Sequence, residues 1–296
     1  MTTHAAEKRP PILVVGGDRR EAELVVRWRR RGGAAQSFGH DAGQLGLPPL
    51  ALLRGVLVVA PPSGIDSAGR VRGAAGTLIL PPGRLAASLG VIAGAVAPDW
   101  AQQLTVPWAA YRERPTFAWP NAIPTAEGAL AWALASGPTT VEGSRFLVAG
   151  LGRVGTTLAV RARALGARVV VVDRDASARG RARALGLEAV PFRPGVLAGA
   201  DWLFNTVPVP VFSREDVLSL PPTALVLDLA SLPGGFAAGA AETLGTRLAV
   251  DRAVPGRVAP VAAAAVLERS VVELWQAWCE ADDRPPWGRS REGDVR

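Results

Sequence analysis

The sequence predicts an α/β fold of two doubly wound, parallel-sheet domains joined by a bridging helix. Short apolar runs alternate with segments of helical pattern along most of the chain, and Gly or Pro punctuates the junctions. Runs apolar throughout, rather than alternating, are what strands covered by helices on both faces require. A glycine-rich turn, Gly150 to Gly155, stands where one such run passes into a helix.

In the first half, Ile12 to Val15, Ala34 to Phe38, Val56 to Val59, Thr77 to Leu80 and Val91 to Gly94 are expected to be buried strands. The second half repeats the pattern with Phe146 to Ala149, Arg168 to Val172, Leu187 to Val190, Trp202 to Asn205, Leu225 to Leu229 and Arg247 to Val250. Between them, Pro120 to Gly137 is expected to bridge as a helix, with Thr125 and Gly128 bracketing its first turns and Ala129 to Ala135 favouring helix. Val258 to Cys279 carries Val266, Leu267, Val271, Leu274 and Trp278 at helical spacing, and is expected to cross back to the first domain. The expected boundaries are a disordered start at 1–10, a first domain at 11–120 completed by 258–279, a second at 121–257, and a mobile, charged tail at 280–296.

Composition narrows the function. No apolar run reaches the ~18 residues that span a bilayer, and Met1 to Pro11 is polar rather than a signal peptide, so a soluble cytoplasmic protein is expected. The single Cys279 excludes an internal disulfide or a thiolate cluster, and no metal is expected. The net charge is +7, yet every basic residue but Lys8 is an arginine, and these are scattered without a basic tail or aromatic-basic motif. A solvated basic surface, not a nucleic-acid partner, is the expectation.

Phe146 to Ala149 runs into Gly150-Leu151-Gly152-Arg153-Val154-Gly155 and then into the helical Thr156 to Leu165. This Rossmann-like order suits a dinucleotide: Gly150 for the tight turn, Gly152 for close approach of the pyrophosphate, Gly155 for helix against strand, with the N–H groups of Arg153 and Val154 at the helix start. The next strand ends at Asp173, about 20 residues on, where an acid receives the ribose hydroxyl of NAD; Arg174 beside it suits the 2′-phosphate of NADP. Both cofactors stand open. Gly16-Gly17-Asp18-Arg19-Arg20 follows the first strand of the other domain and lacks the third glycine. Either Asp18 caps a helix there, or Arg19 or Arg20 holds a substrate carboxylate.

What is missing also counts. Ketoacid reductases use a histidine to move the alcohol proton, and this chain has only His4 and His40. Lys8 is the sole lysine, which disfavours Schiff-base chemistry. An oxidation in which the substrate assists itself fits these deficits, as when a dihydropyridine loses a hydride and a proton and becomes aromatic.

Several stretches resemble the family of dipicolinate synthase dehydrogenase subunits: Gly16 to Arg20, Asn121-Ala122-Ile123-Pro124-Thr125-Ala126-Glu127-Gly128, Gly150 to Gly155, Asn205-Thr206-Val207-Pro208, Asp228-Leu229-Ala230-Ser231 with Pro233-Gly234-Gly235, and Val254 to Pro260. The resemblance implies oxidation of dihydrodipicolinate, a small dicarboxylate, with NAD or NADP. It further implies, as partner, the second and flavoprotein-like subunit of dipicolinate synthase, in the mother cell of a sporulating bacterium. Asn205 to Pro208 and Asp228 would then face the nicotinamide, beyond the carboxyl ends of their strands. Ser231 would orient substrate, Asn121 and Thr125 would line the start of the bridging helix, Glu127 would collect the ring proton, and Arg257 would hold a carboxylate. Bland readings stand beside these: Asn205 as a turn cap, Asp228 as a strand-end carboxylate, Glu127 as a first-turn helix acid and Arg257 as a surface charge.

Two segments depart from the family pattern. Pro260-Val261-Ala262-Ala263-Ala264 stands where the family has Pro-x-Thr-Ala-Gly, and Phe236-Ala237-Ala238 follows the paired glycines where an acid can stand. A 2-hydroxyacid dehydrogenase-like reductase and a non-catalytic NAD(P)-binding subunit are therefore alternative functions, and the apolar last helix permits a homo-oligomer.

Overall fold

The structure, a computed structural model, describes residues 9–41, 44–137 and 139–280. His4, Lys8 and the tail from 281 onward lie outside the described residues. The described chain falls into two compact units, one drawn from Met1–Pro120 with Ala259–Arg296, the other Asn121–Val258. Among the described residues no helix is long and apolar enough to cross a membrane, and no group of three or more His, Cys, Asp or Glu side chains could hold a metal ion.

The first unit begins with β1 (Ile12–Val15), α1 (Arg19–Arg30), β2 (Ala35–Phe38), α2 (Leu50–Leu53) and β3 (Leu57–Val59). It continues with β4 (Arg70–Gly73), β5 (Gly76–Ile79), β6 (Gly90–Ala93), α3 (Pro98–Ala101), β7 (Trp108–Ala110) and the first turn of α4 (Pro115–Ser136). Five strands form a parallel sheet in the order β2-β1-β3-β6-β7. Helix α1 starts where it does because Asp18 accepts from the Arg20 N–H at 2.9 Å while Glu21 accepts from the Asp18 N–H at 2.7 Å, a reciprocal cap. Its inward residues Leu24, Val25 and Trp28 share a core with Val266, Leu267, Val271 and Leu274 of α10 (Pro260–Glu280), the last described helix.

The same interface holds an ionic cluster. Glu268 of α10 is 2% exposed and receives Arg9 at 3.0 Å and Arg27 at 2.9 Å, with Arg31 at 3.5 Å. Some of the scattered arginines thus converge on one buried carboxylate.

The second unit contains β8 (Arg145–Ala149), α5 (Arg153–Ala164), β9 (Arg168–Val172), α6 (Ala176–Ala184), β10 (Glu188–Val190), β11 (Trp202–Asn205), α7 (Arg214–Leu218), β12 (Leu225–Asp228), α8 (Ala238–Leu244), β13 (Leu248–Val250) and α9 (Val254–Val258). All six strands are parallel, ordered β10-β9-β8-β11-β12-β13, which is the doubly wound dinucleotide-binding order. Side chains alternate along each strand to fill two cores. Phe146, Val148, Trp202 and Phe204 pack with Ala126, Ala129 and Ala133 of α4, while Leu147, Ala149, Leu203 and Val226 pack with Val217, Ala240 and Leu244. Helices on both faces explain why the strands read as unbroken apolar runs.

Three local expectations are corrected. Thr77 to Leu80 does not join the parallel sheet; β5 pairs antiparallel with β4 as a separate hairpin, because only Val71 and Leu78 face inward while Arg70, Arg72, Thr77 and Ile79 are exposed. Its place in the sheet is taken by β7, too short beside Pro107 to register as a strand in sequence. The bridging helix begins at Pro115, so Thr125 lies inside it and its hydroxyl donates back to the Asn121 carbonyl at 2.9 Å instead of capping. Ala118, Ala122, Ala126, Ala129 and Ala133 are buried turn after turn, and that packing carries the helix through Pro120 and Pro124.

Candidate dinucleotide-binding site

The turn after β8 is shaped by its three glycines. Gly150 has φ +86°, and a Cβ there would press on the Thr206 hydroxyl at 2.7 Å. A Cβ on Gly155 would collide with the Gly150 carbonyl, so helix and strand meet only because it is absent. Gly152 differs from both: nothing lies within 4 Å of where its Cβ would be. It is the N-cap of α5 and no side chain caps that helix, so the start of α5, at Arg153 and Val154, offers backbone N–H groups beside open space. That is the cradle a pyrophosphate fits.

Asp173, at the end of β9, accepts from the Leu151 N–H at 2.7 Å and from the Asp175 N–H at 2.9 Å, which fixes it against the glycine turn. Arg174 is exposed beside it. Sequence reading overlooked two further arginines of α6. Arg179 donates to the carbonyls of Asp173 and Arg174, each at 2.8 Å, and Arg181 reaches the Leu151 carbonyl at 3.4 Å. Their signal was the run of arginines in the helix directly behind the acid.

The loop after β11 locks onto the same turn. Thr206 donates its hydroxyl to the Ala149 carbonyl at 2.8 Å, while Val207 and Pro208 continue outward, Pro208 exposed. Asn205 is 0% exposed; its amide donates to the Val207 carbonyl at 3.0 Å and to Asp228 at 2.8 Å, and its oxygen accepts from the Val207 N–H at 3.1 Å. Asp228, also buried, accepts from the Ala230 N–H at 3.0 Å and the Gly235 N–H at 3.3 Å. This pair therefore works as a buried brace that sets the two loops beyond β11 and β12. Ser231 is exposed in a turn closed by the Gly234 N–H on its carbonyl at 2.9 Å.

Other candidates sit apart from that turn. Glu127 is exposed on α4, 3.7 Å from Arg161 of α5. Asn121 and Thr125 are joined by the helix back-bond. Arg257 pairs with Asp251 of its own segment through Nε at 3.0 Å.

In the first unit, Gly16 and Gly17 adopt φ +64° and +90° and lead to the cap of α1, the structural reading of that motif. Arg19 is exposed and Arg20 buried. Sequence reading missed Glu21, although Asp18-x-x-Glu21 is the spacing of a capping box. Burial pushes the Glu21 carboxyl up to about 7, opposed in part by the Arg20 guanidinium and helped by Asp18. A folded value above the ordinary 4.5 means that Glu21 holds its proton longer in the folded chain, so its contribution to stability is full below about 4.5 and is lost as pH rises to about 7. Glu21→Gln is expected to remove up to about 3 kcal/mol of that loss, and denaturation midpoints at pH 5 and 8 measure it.

Comparison with known proteins places this geometry. Residues 125–215 match the family model "D-isomer specific 2-hydroxyacid dehydrogenase, NAD binding domain". One subunit of the dipicolinate synthase of Bacillus subtilis is 37% identical over 166 residues, 55% of this chain and 55% of that protein. A solved structure of the corresponding dipicolinate synthase subunit from Bacillus halodurans superposes with a TM-score of 0.75 at 27% identity, over 90% of this chain and 97% of the other. This chain resembles that dipicolinate synthase subunit. The solved Bacillus subtilis counterpart gives a TM-score of 0.73 at 28% identity, covering 90% of this chain and 96% of its own. The sequence match to the synthase nevertheless spans only about half the length of the curated relative. A pyruvate reductase of Chlamydomonas reinhardtii, 12% identical with a TM-score of 0.63, shares the fold. The second unit is thus a dehydrogenase-type NAD-binding domain, and a nicotinamide dinucleotide is its cofactor class.

Proposed function

We propose that this chain oxidises dihydrodipicolinate to dipicolinate, with NAD+ or NADP+ as acceptor. The observation that carries the reading is the likeness to the dipicolinate synthase subunit, in sequence over 166 residues and in fold over 90% of the chain. The open space at Gly152 and the uncapped start of α5 fit the dinucleotide. When bound, the dinucleotide would supply the hydride acceptor, and loss of one further proton would complete the ring's conversion to an aromatic one. Little acid-base work falls to the protein, which suits a second unit without histidine. The residues proposed for that unit keep distinct parts. Arg153, Val154 and the glycines hold the diphosphate; Asp173 and Arg174 meet the adenosine ribose; Thr206, Val207 and Pro208 border the nicotinamide, braced by Asn205 and Asp228. Ser231, Glu127 and Arg257 are proposed for substrate contact. By the same resemblance, the partner is the flavoprotein-like second subunit of dipicolinate synthase, and the setting is spore formation in the cytoplasm.

The family match of residues 125–215 supports a second reading, reduction of a 2-oxo acid, in which His40 would have to supply the proton. One assay separates them. Purified protein with NAD+ or NADP+ and freshly generated dihydrodipicolinate is expected to yield reduced nicotinamide and the ultraviolet band of the aromatic product. Silence from folded, cofactor-bound protein, supplied with the flavoprotein-like partner, would remove the proposal. Turnover of simple 2-oxo acids that disappears in His40→Ala would install the alternative.

A further inference from the structure

The sheet of the first unit has its own switch point. In the order β2-β1-β3-β6-β7, the chain leaves β1 toward β2 and then returns to β1's other side, so the loops after β1 and β3 part to opposite faces. Ligands of open α/β sheets bind in the crevice that this parting leaves beyond the carboxyl ends of the strands. Beyond β1 lie Gly16, Gly17 and the start of the 12-residue α1, with Asp18, Arg20 and Glu21. Beyond β7 lies Tyr111, whose hydroxyl donates to the Ala60 carbonyl at 2.9 Å, just past β3. Tyr111 is close enough to Glu21, Arg20 and Asp18 to feel their charges, and His40, beyond β2, feels Asp18.

The helix cap explains only part of this cluster. Glu21 is 0% exposed, and its Oε2 accepts the Asp18 N–H, as a capping box requires. Its other oxygen, Oε1, is buried with no hydrogen bond, and the nearest cation, Arg20 Nε, stands at 3.9 Å, too far for one. His40 Nε2 is a second buried polar atom without a hydrogen-bond partner. Buried polar atoms are rarely left so, and Glu21 Oε1 at the switch point marks a place for a polar ligand, with His40 beyond the neighbouring β2. A carboxyl oxygen with nothing to bond can share a proton with a ligand nitrogen. The guanidinium of Arg20 and the positive end of α1 favour an anionic group beside it.

We infer that this crevice binds a nitrogen heterocycle bearing a carboxylate next to the ring nitrogen, with Glu21 Oε1 sharing a proton with that nitrogen and Arg20 holding the carboxylate. The choice of a heterocycle rests on the proposed function; the site itself rests on the cluster. Burial that raises the Glu21 carboxyl toward neutrality lets it hold the shared proton.

The test titrates the full chain, in metal-free buffer, with pyridine-2,6-dicarboxylate and with benzene-1,3-dicarboxylate, which has the same two carboxylates but no ring nitrogen. Wild type is expected to bind the pyridine at least ten-fold tighter. Glu21→Leu removes the shared proton while the Asp18 side chain still accepts the Arg20 N–H to cap α1, so the two probes should then bind alike; Glu21→Gln, whose amide N–H can donate to the ring nitrogen, should keep the preference. Arg20→Gln is expected to weaken both probes at least ten-fold; if that variant does not fold, Arg20→Lys, which keeps the charge but loses the fork, should weaken both severalfold. NADP+ affinity should be unchanged in every folded variant. Equal binding of the two probes by wild type, or a preference for the pyridine that survives Glu21→Leu, overturns the inference. Discrimination that vanishes in Glu21→Leu while dihydrodipicolinate is not oxidised leaves the site standing and removes the enzyme reading. Turnover with no such discrimination does the reverse.

Discussion

Gly152→Val is expected to weaken NAD or NADP binding on the order of 100-fold or more while leaving the fold intact. The two halves of that expectation come from the same observation. No atom lies within 4 Å of the position a Cβ would take, and φ is −75°, so the chain accepts a side chain with at most the modest loss of an N-cap glycine. The space it would fill is the space the diphosphate needs for close approach to the start of α5. Fluorescence titration with the reduced cofactor, alongside a thermal melt, measures both. An unchanged affinity would show that this turn is not the site. The neighbouring glycines would give no such separation, because a side chain at Gly155 meets the Gly150 carbonyl and Gly150 has a left-handed φ.

The second large effect concerns stability. Glu268→Ala should destabilise the first unit by about 2 to 3 kcal/mol, because Arg9 and Arg27, with side chains only 10% and 23% exposed, would keep their part-buried charges with no carboxylate between them. Arg31→Ala, at a side chain 56% exposed and 3.5 Å from the same oxygen pair, should cost less than about 1 kcal/mol. Denaturant unfolding of the two variants checks the contrast; equal losses would mean that burial does not set the strength of this cluster.

The fold was most legible where a strand is covered on both faces. Ile12 to Val15, Trp202 to Asn205 and Arg168 to Val172 are strands over the residues expected, since apart from Arg168 and Asn205 at their ends they are runs of buried apolar side chains. Legibility failed where burial is one-sided or spread thin. The hairpin of β4 and β5 hides only alternate residues, and β7 is three residues long beside a proline. In α4, small alanines bury a helix whose prolines announce an ending. At the site, Gly150 to Gly155 and Asp173 are drawn together as their spacing implied, because turn chemistry is local. Asn205 and Asp228 could be picked out as residues of two strand-end loops, but not as partners: their bond joins positions 23 residues apart and follows from β11 lying beside β12. Glu21 left no trace beyond a helix cap, since its free oxygen is a matter of what surrounds it.

The return of α10 to the first unit sets an order of assembly. A nascent polypeptide that has left the ribosome only as far as Val258 already holds every element of Asn121–Val258. The segment made first is still missing the helix that covers Leu24, Val25 and Trp28. The part translated earliest is therefore the last able to close its core, and until synthesis reaches Leu274 its apolar flank is the surface for a chaperone to shield.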